Sequence, residues 1–314
     1  MKNGKKYCAI SVDLDPIDHY LYARDYKPLD VTNLNAIYDD ALPRFLDLFD
    51  QYGVKVTFFL VGRDVLEAKN KTRIREVVKR GHEIANHTYN HYQYFCHLSH
   101  EDKRNEIERT DNIISDTVGK KSVGFRAPAW GIDHITMNIL EENEYLYDSS
   151  VFPSKLVPVI SYVNWLLNKG RLKRGLGNSY KLGMASKLPY FPHREKIWKK
   201  GNMNIMEMPP TILPIIQLPF LGTLLFMLGE TIFNISFSYY SFFNKPLLYE
   251  LHGIELVDYY SSINDERLLM KPGLGKKIHE KMKLYHLMLS KFSRSYHFIT
   301  MQQLVQIFSQ NQDP

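Results

Sequence analysis

Short apolar runs and longer stretches with helical periodicity alternate along the first half of the chain. The short runs are rich in β-branched and aromatic residues and predict strands at residues 7–12, 54–61, 83–85, 122–126 and 145–148, with another at 246–251. Helical periodicity predicts helices at residues 36–52, 74–79, 101–118 and 136–143. This alternation indicates an α/β architecture around a parallel sheet, either closed as a barrel or open.

Charged residues close several of the predicted strands. Asp13 and Asp15 follow the first strand, and Arg126 and Asp148 end two later ones. In both forms of a parallel α/β fold, active sites gather at the carboxyl ends of the strands. We therefore expect these four side chains to contribute to one site.

Asp13 and Asp15 are two positions apart in a predicted strand, so their side chains point to the same face. Two carboxylates on one face repel each other, and a metal ion bound by one of them would relieve that repulsion. The other could then accept a proton from a catalytic water. The alternative is simple solvation of a strand end or a turn cap, because Pro16 follows directly.

A pair of histidines, His87 and His91, has the spacing of neighbours one turn apart on one face of a helix. The chain contains 12 histidines, so the pair alone has little weight and could equally be surface or core histidine. Two imidazoles and one carboxylate would leave open positions on a metal for water and a substrate oxygen.

Composition narrows the class of protein without identifying its partner. The 314 residues are 44% hydrophobic and 24% charged, as in an ordinary globular protein, and we treat residues 1–314 as a single domain. Two cysteines give no disulfide framework. No apolar signal region follows the basic N-terminus, which favours the cytoplasm. The net charge of +6 suits an anionic partner.

Residues 155–245 interrupt the alternation of strands and helices. Residues 169–200 hold ten basic residues and one acid, and residues 208–243 are apolar and aromatic with a single charge, Glu230. Four prolines between 209 and 219 argue against one straight transmembrane helix. We interpret the segment as a basic insertion followed by a membrane-interfacial element that docks on anionic lipid. A solvated loop followed by buried core explains it equally well, and no motif supports nucleic-acid binding.

Five short motifs occur in an order that resembles a known family. They are Asp13-x-Asp15, His87-Thr88-x-x-His91, Arg126-Ala127-Pro128, Tyr147-Asp148-Ser149-Ser150 and Leu251-His252. In this order they resemble the polysaccharide deacetylase family, also known as the NodB-homology or carbohydrate esterase 4-like family. The resemblance covers roughly residues 5–155 and 205–260. It implies a distorted (β/α)7 barrel of NodB type, here with a basic and apolar insertion.

The resemblance also implies a divalent metal, zinc first, with manganese, cobalt and nickel as alternatives, bound by Asp15, His87 and His91. It makes Asp13 the base that takes a proton from the catalytic water and Arg126 the partner that keeps Asp13 ionised. His252 would protonate the leaving amine, and Asp148 would keep that imidazole protonated.

Four further residues follow from the same resemblance. Thr88 would brace the loop between the two histidine ligands, and Ala127, Pro128 and Trp130 would line the substrate site together with Thr88. The sequence departs from the family in two ways. Leu14 separates acids that are commonly adjacent, which leaves open which aspartate is base and which is ligand. Ala129 stands where an aromatic residue often follows the proline, so Trp130 would supply that hydrophobic wall.

Three details of the motifs are most similar to one branch of the family: the Asp-x-Asp form, Asp148-Ser149-Ser150, and the ending Leu251-His252-Gly253-Ile254. That branch deacylates lipid-linked amino sugars at the cytoplasmic side of the inner membrane. We therefore expect an N-deacetylase of undecaprenyl phosphate-linked N-acetylhexosamine used in lipid A or envelope modification, peripheral on the anionic inner membrane. The alternatives are a soluble polysaccharide or small-amide deacetylase and a deformylase of lipid-linked aminoarabinose. A catalytically inactive member that binds carbohydrate or lipid is the non-enzymatic alternative.

Overall fold

The computed structural model describes residues 6–28, 33–156 and 181–310. Strands within these residues are β1 (Tyr7–Asp13), β2 (Thr57–Leu60), β3 (Glu83–Asn86), β4 (Gly124–Phe125), β5 (Tyr147–Asp148), β6 (Met206–Glu207), β7 (Leu247–His252) and β8 (His297–Phe298). Helices are α1 (Ile17–Tyr22), α2 (Leu42–Gln51), α3 (Gly62–Val65), α4 (Ala68–Lys79), α5 (His100–Val118), α6 (His134–Glu142), α7 (Gly222–Phe242), α8 (Ile278–Ser295) and α9 (Met301–Gln310).

The strands form one curled sheet in the order β6-β5-β4-β3-β2-β1-β7, and β8 pairs with β1. Each of these pairings is parallel. Beyond β6 the chain returns to β7, where the N–H of Thr211 donates to the carbonyl of Leu248 at 3.0 Å. The predicted α/β fold with a parallel sheet is therefore confirmed, as a half-barrel whose open side is bridged by a loop.

The strand register brings the predicted site residues to one edge of the sheet. Asp13 lies opposite His252 on one side and Phe59 on the other. Farther along the sheet Asp148 pairs with Phe125 and with Glu207. Because the strands are parallel, their carboxyl ends open on the same side, as the sequence predicted.

The largest hydrophobic cluster lies between the sheet and the helices that follow its first strands. The apolar face of α2 contributes Phe45 and Phe49, which are fully buried. The Phe49 ring contacts Phe58 of β2 and the Phe45 ring contacts Tyr285 of α8. Burial of each such side chain contributes about 1.5–3 kcal/mol, which fixes α2 against the sheet.

The structure describes residues 155–156 and 181–245 of the predicted interruption at 155–245. Residues 169–180 of the basic stretch lie outside the described residues, and residues 181–200 form turns that reach β6 through a Tyr190–Glu207 bridge. The apolar stretch at residues 208–243 consists of the loop that follows β6 and of α7. One face of α7 is buried in the core. Within the described residues, no helix has the length and apolarity needed to span a bilayer.

Gly124 allows β4 and β5 to approach each other closely. A Cβ atom built at Gly124 would lie 2.0 Å from Cζ and 2.2 Å from Oη of Tyr147. The Tyr147 hydroxyl is fixed because it donates to Glu83 Oε1 at 2.8 Å. The ring therefore has no free direction in which to move.

We expect Gly124→Ala to destabilise the protein by about 1–3 kcal/mol, since overpacking forces buried neighbours off their preferred positions. Chemical denaturation monitored by circular dichroism measures the change. Gly275→Ala is the matched control, because the nearest atom there is a single Leu269 methyl at 3.2 Å. Equal stability of the two variants would contradict the packing argument.

Candidate metal centre and active site

The segment that carries His87 and His91 is a loop after β3, so the prediction that the pair lies on a helix is wrong. Thr88 and His91 have φ angles of 64° and 57°, which a right-handed helix cannot accommodate. The N–H of Thr88 donates to Asn86 Oδ1 at 2.8 Å, and the N–H of His91 donates to Thr88 Oγ1 at 3.1 Å. Side-chain hydrogen bonds therefore replace helical bonds in holding the two imidazoles together.

Three side chains converge at the end of this loop. Asp15 Oδ1 lies 3.3 Å from His87 Nε2 and 3.2 Å from His91 Nε2, and the two Nε2 atoms are 3.0 Å apart. All three side chains are buried, and Asp15 Oδ1 has no hydrogen-bond partner among the described residues. A buried carboxylate oxygen without a donor, facing two ring nitrogens, is the arrangement that a cation completes.

The outward-facing atoms of the three residues are already occupied. His87 Nδ1 lies 2.6 Å from the carbonyl oxygen of Arg126, which fixes the proton on Nδ1 and leaves the Nε2 lone pair free. His91 Nδ1 lies 3.0 Å from Nδ1 of His19, and Tyr20 donates its hydroxyl to Asp15 Oδ2 at 2.9 Å. This outer layer orients all three donors toward one point, so the residues fit a divalent metal ion.

Electrostatics at this cluster favour an ionised carboxylate. Burial alone would raise the pKa of Asp15, but the neighbouring His91 and His87 imidazoles hold that pKa well below its usual range. Two nitrogen donors and one carboxylate are a common ligand set for zinc and related divalent ions. The set leaves coordination positions open for water and substrate.

Asp13 belongs to a different contact. Its Oδ1 accepts a hydrogen bond from Arg126 Nη1 at 2.5 Å, and its Oδ2 lies 3.8 Å from His87 Nε2. Both Asp13 and Arg126 are buried. The geometry therefore favours Asp15 as the ligand and Asp13 as a charged neighbour of the metal site, the distribution expected from the family resemblance.

His252 stands beside Asp13 at the end of β7. Ligand atoms of Asp13, Glu250 and His252 lie within 4.8 Å of one another. Burial lowers the pKa of His252, but the carboxylates of Glu255, Asp15, Glu250 and Asp13 raise it to about 10. The imidazole is therefore held in its protonated, proton-donating form.

The comparisons with known proteins agree with this geometry. Residues 28–147 match the family described as polysaccharide deacetylase. Over these residues the chain is similar to the polysaccharide deacetylase family.

Relatives within this family share only part of their length with the chain. A peptidoglycan deacetylase of Helicobacter pylori is 26% identical over 152 residues, which cover 48% of this chain and 51% of that protein. A peptidoglycan-N-acetylglucosamine deacetylase of Bacillus cereus is 35% identical over 103 residues, covering 33% and 46% respectively. The chain thus spans about half the length of the curated relatives it matches.

Solved structures share the fold of the whole chain. A structure from Mycobacterium smegmatis, titled as a polysaccharide deacetylase, has a TM-score of 0.61 at 17% identity and covers 100% of this chain and 94% of its own. A structure from Pseudomonas aeruginosa PAO1 with a similar title has a TM-score of 0.58 at 14% identity, with 99% and 94% covered. These similarities support the NodB-type fold predicted from the sequence.

The resemblance implied that Asp148 keeps the His252 imidazole protonated, but Asp148 makes other contacts. Its carboxylate accepts hydrogen bonds from the N–H and hydroxyl of Ser150, at 3.1 and 2.6 Å. Burial and the charge of Asp148 raise the pKa of Glu207, its partner on β6, well above its usual range. Among the described residues, the carboxylates within 4 Å of the His252 ring are Glu250 and Glu255. The expected Asp148–His252 contact is corrected accordingly.

Glu255 is held beside His252 by several donors. Tyr285 donates its hydroxyl to Glu255 Oε2 at 2.6 Å, and Thr223 donates to Oε1 at 2.9 Å. Glu255 Oε1 then lies 3.8 Å from His252 Nδ1, an ion-pair distance rather than a hydrogen bond. The sequence showed Glu255 three residues after His252 but did not indicate this role.

The predicted substrate-binding residues divide into two groups. Trp130 is partly exposed, its Nε1 donates to Glu250 Oε2 at 3.3 Å, and its ring packs on Phe152 with centroids 4.7 Å apart. Ala127 and Pro128 are buried, and the N–H of Ala127 donates to Ser150 Oγ at 2.8 Å. These two residues shape the turn that presents Trp130, while Trp130 itself can reach a substrate.

Other members of the site escaped sequence analysis. Glu250 precedes His252 by two residues on a strand, so the alternation of side chains could have placed it on the same face. His19 and Tyr20 lie on α1. Asn86 anchors the loop that carries His87 and His91, because its side-chain amide donates to the carbonyl of Ile107 at 2.9 Å. No local pattern marks these three, because their partners are distant in sequence.

We expect His19→Ala to weaken divalent-metal affinity about 10–100-fold, since a ligand that loses its outer hydrogen-bond partner is no longer oriented. Titration calorimetry of the metal-stripped protein with Zn²⁺ measures the affinity. His100→Ala, at an exposed position, is the matched control. Unchanged affinity in His19→Ala would remove His19 from the metal centre.

Proposed function

We propose that the protein is a metal-dependent hydrolase that removes the N-acetyl group from an amino sugar. The observation that carries this proposal is the joint presence of a three-residue metal cluster and two proton-transfer groups at one sheet edge. Asp13 lies 3.8 Å from the metal ligand His87, and its ligand atom lies within 4.8 Å of those of Glu250 and His252. A cleavage of an amide needs both a base and an acid at this spacing.

Asp15, His87 and His91 would hold a divalent ion, which when bound would supply Lewis acidity toward the acyl oxygen and the attacking water. We propose zinc as that ion, with manganese, cobalt and nickel as alternatives. Asp13 takes one proton from the attacking water, and the Arg126 guanidinium, which donates to Asp13 Oδ1, holds Asp13 in position for that step. The Arg126 side chain is fixed in position because it also donates to the carbonyl and the hydroxyl of Ser149.

His252 completes the reaction as the acid. The water oxygen, after giving one proton to Asp13, forms a C–O bond with the acyl carbon. The C–N bond then breaks, and the amine nitrogen receives a proton from His252 Nε2. The products are the free amino sugar and acetic acid, which releases its proton to the solvent to give acetate. The raised pKa of His252 supports this assignment, because a donor must be protonated before each turnover.

We propose an N-acetylglucosamine-type unit as the sugar. Relatives from Helicobacter pylori and Bacillus cereus are named as peptidoglycan or peptidoglycan-N-acetylglucosamine deacetylases. The partly exposed Trp130 ring provides an apolar face against which a pyranose ring can pack. These observations support a hexosamine substrate.

We further propose that the natural substrate is undecaprenyl phosphate-linked N-acetylhexosamine, processed at the cytoplasmic face of the inner membrane for lipid A or envelope modification. The support is the exposed apolar outer face of α7. This helix begins directly after Leu221, which packs with Phe152 and Ile212 in a buried cluster beside Trp130. A soluble polysaccharide would gain nothing from such a surface. Removal of a formyl group from lipid-linked aminoarabinose is the alternative that uses the same chemistry.

The test offers the zinc-loaded protein three substrates: short-chain polyprenyl phosphate-N-acetylhexosamine, the formylated aminoarabinose analogue, and chitooligosaccharides. Mass spectrometry is expected to show loss of an acetyl group from the first. We expect Asp13→Asn to lower turnover about 10²–10⁴-fold while it keeps its metal, and Asp15→Asn to lose the metal. Activity on chitooligosaccharides alone would reject the lipid-linked substrate, and no acyl loss from any substrate would reject the hydrolase.

The acid role of His252 predicts a change in pH dependence for Glu255→Gln. Removal of the carboxylate beside Nδ1 lowers the pKa of His252, so the protonated form is lost at a lower pH as pH rises. The alkaline limb of the kcat/KM profile is therefore expected to shift to lower pH. The exposed Glu144→Gln variant is the control. An unshifted alkaline limb in Glu255→Gln would assign Glu255 a structural role only.

A further inference from the structure

The outer face of α7 is apolar and has no partner among the described residues. Within the helix Gly229 has φ 74°, which divides α7 into two helical segments. In the second segment, Ile232, Ile235, Tyr239 and Phe242 recur at three- and four-residue spacing, which aligns them along one side. Ile235 is 61% exposed and Phe242 is 87% exposed. The opposite side, with Phe233, Phe237 and Tyr240, is buried in the main core.

A turn before α7 extends this apolar face. The Tyr239 hydroxyl donates to the carbonyl of Pro214 at 3.2 Å and so brings the turn that follows Pro214 beside the helix. Ile215 at the tip of that turn is 82% exposed. We call the exposed apolar residues of this region the α7 surface; its members are Ile215, Ile216, Met227, Leu228, Ile232, Ile235 and Phe242.

Lysines gather at the Phe242 end of the α7 surface. Lys245 Nζ lies 5.4 Å from the Phe243 ring centroid. Burial and then the positive charges of Lys155 and Lys245 lower the pKa of Lys187, so both ammonium groups lie near Lys187. Ser154, next to Lys155, donates to the carbonyl of Gln217 at 2.6 Å, which joins this group to the exposed turn.

These lysines lack local counter-charges. Among the ion pairs of the described residues, none involves Lys155, Lys187 or Lys245. α7 itself carries one charge, Glu230, in its 21 residues. These unpaired lysines lie next to protruding apolar side chains. An anionic bilayer offers matching layers, because its negatively charged headgroups lie directly above the acyl chains.

We propose that the α7 surface and its flanking lysines dock the protein onto an anionic lipid bilayer. The apolar side chains enter the region between headgroups and acyl chains, and the lysines pair with lipid phosphates. A second copy of this chain laid along α7 could cover the apolar stripe, but that helix would bring a single carboxylate, Glu230, toward the three lysines. Lipid satisfies both parts of the surface.

The docking surface is continuous with the candidate active site. A Cβ atom built at Gly222, the first residue of α7, would lie 2.7 Å from Glu255 Oε2, and Thr223 donates to Glu255. The exposed side chains begin at Met227, between one and two turns farther along. A bilayer on this face would therefore border the site. Docking rests on these contacts alone and does not depend on the proposed reaction.

Co-sedimentation with vesicles tests the proposal. The wild-type protein is expected to bind phosphatidylcholine vesicles that contain phosphatidylglycerol, and to bind pure phosphatidylcholine weakly. Raising the salt concentration should release it, because the lysine contribution is screened. We expect the double variant Ile232→Ser/Ile235→Ser to lower the partition coefficient by at least about tenfold, because the variant lacks two apolar side chains that would insert into the bilayer.

Two control variants separate docking from folding and from general charge effects. Leu66→Ser/Leu269→Ser removes two apolar side chains of comparable exposure, 47% and 42%, outside the α7 surface and should bind vesicles like the wild type. Lys187→Gln/Lys245→Gln should weaken binding only to anionic vesicles. Thermal melting confirms that each variant is folded.

Three outcomes would overturn the proposal. Absence of wild-type binding to anionic vesicles would do so, as would equal binding by the Ile232→Ser/Ile235→Ser variant. The third is a wild-type dimer in light scattering that the same variant dissociates, without vesicle binding. That result would assign the α7 surface to self-association. Failure of the deacetylation assay with vesicle binding intact would reject the proposed reaction and leave the docking surface standing.

Discussion

The buried ion pair between Arg126 and Asp13 is the contact on which the rest of the site depends. The guanidinium links β1 to the loop after β5, because it also donates to Ser11 and to Ser149. The carbonyl oxygen of the same residue fixes the His87 ring. Breaking a buried pair by removing one partner costs about 3–5 kcal/mol, since an uncompensated charge is left in the interior. One residue therefore sets the position of a base and of a metal ligand together.

Around this pair, the site concentrates negative charge where water is scarce. Asp13, Asp15, Glu250 and Glu255 all surround the imidazoles of the metal ligands and of His252. Such a group is tolerated only when cations neutralise it, and in the proposed mechanism Arg126, a protonated His252 and a bound divalent ion would share that task. The carboxylates differ in proton affinity, because the histidines lower the pKa of Asp15 while burial raises that of Glu250. Fold stability and catalytic roles thus arise from the same buried charges.

The sequence predicted the features that depend on local pattern. Alternation of side chains placed Asp13 and Asp15 on one face, the strand ends placed Arg126 at the same edge, and the family resemblance added His252. Local pattern failed where a distant contact decides the outcome. The His87–His91 loop is non-helical because Asn86, which also donates to Ile107 and Asp111, bonds the backbone of Thr88. Asp148 faces Glu207 because β6 comes from much farther along the chain and pairs with β5. The apolar stretch at 208–243 gave two alternatives, and α7 combines them with one face buried and the other exposed.

Anomalous diffraction from crystals of the zinc-loaded protein, recorded at the zinc absorption edge, tests the central claim most directly. The account predicts one ordered ion within about 2.0–2.3 Å of Asp15 Oδ1, His87 Nε2 and His91 Nε2. Asp13 should remain paired with Arg126, outside the coordination sphere. An ion bound instead by Asp13, Glu250 and His252, the other cluster with ligand spacing, would contradict the account, as would no ion at this edge of the sheet.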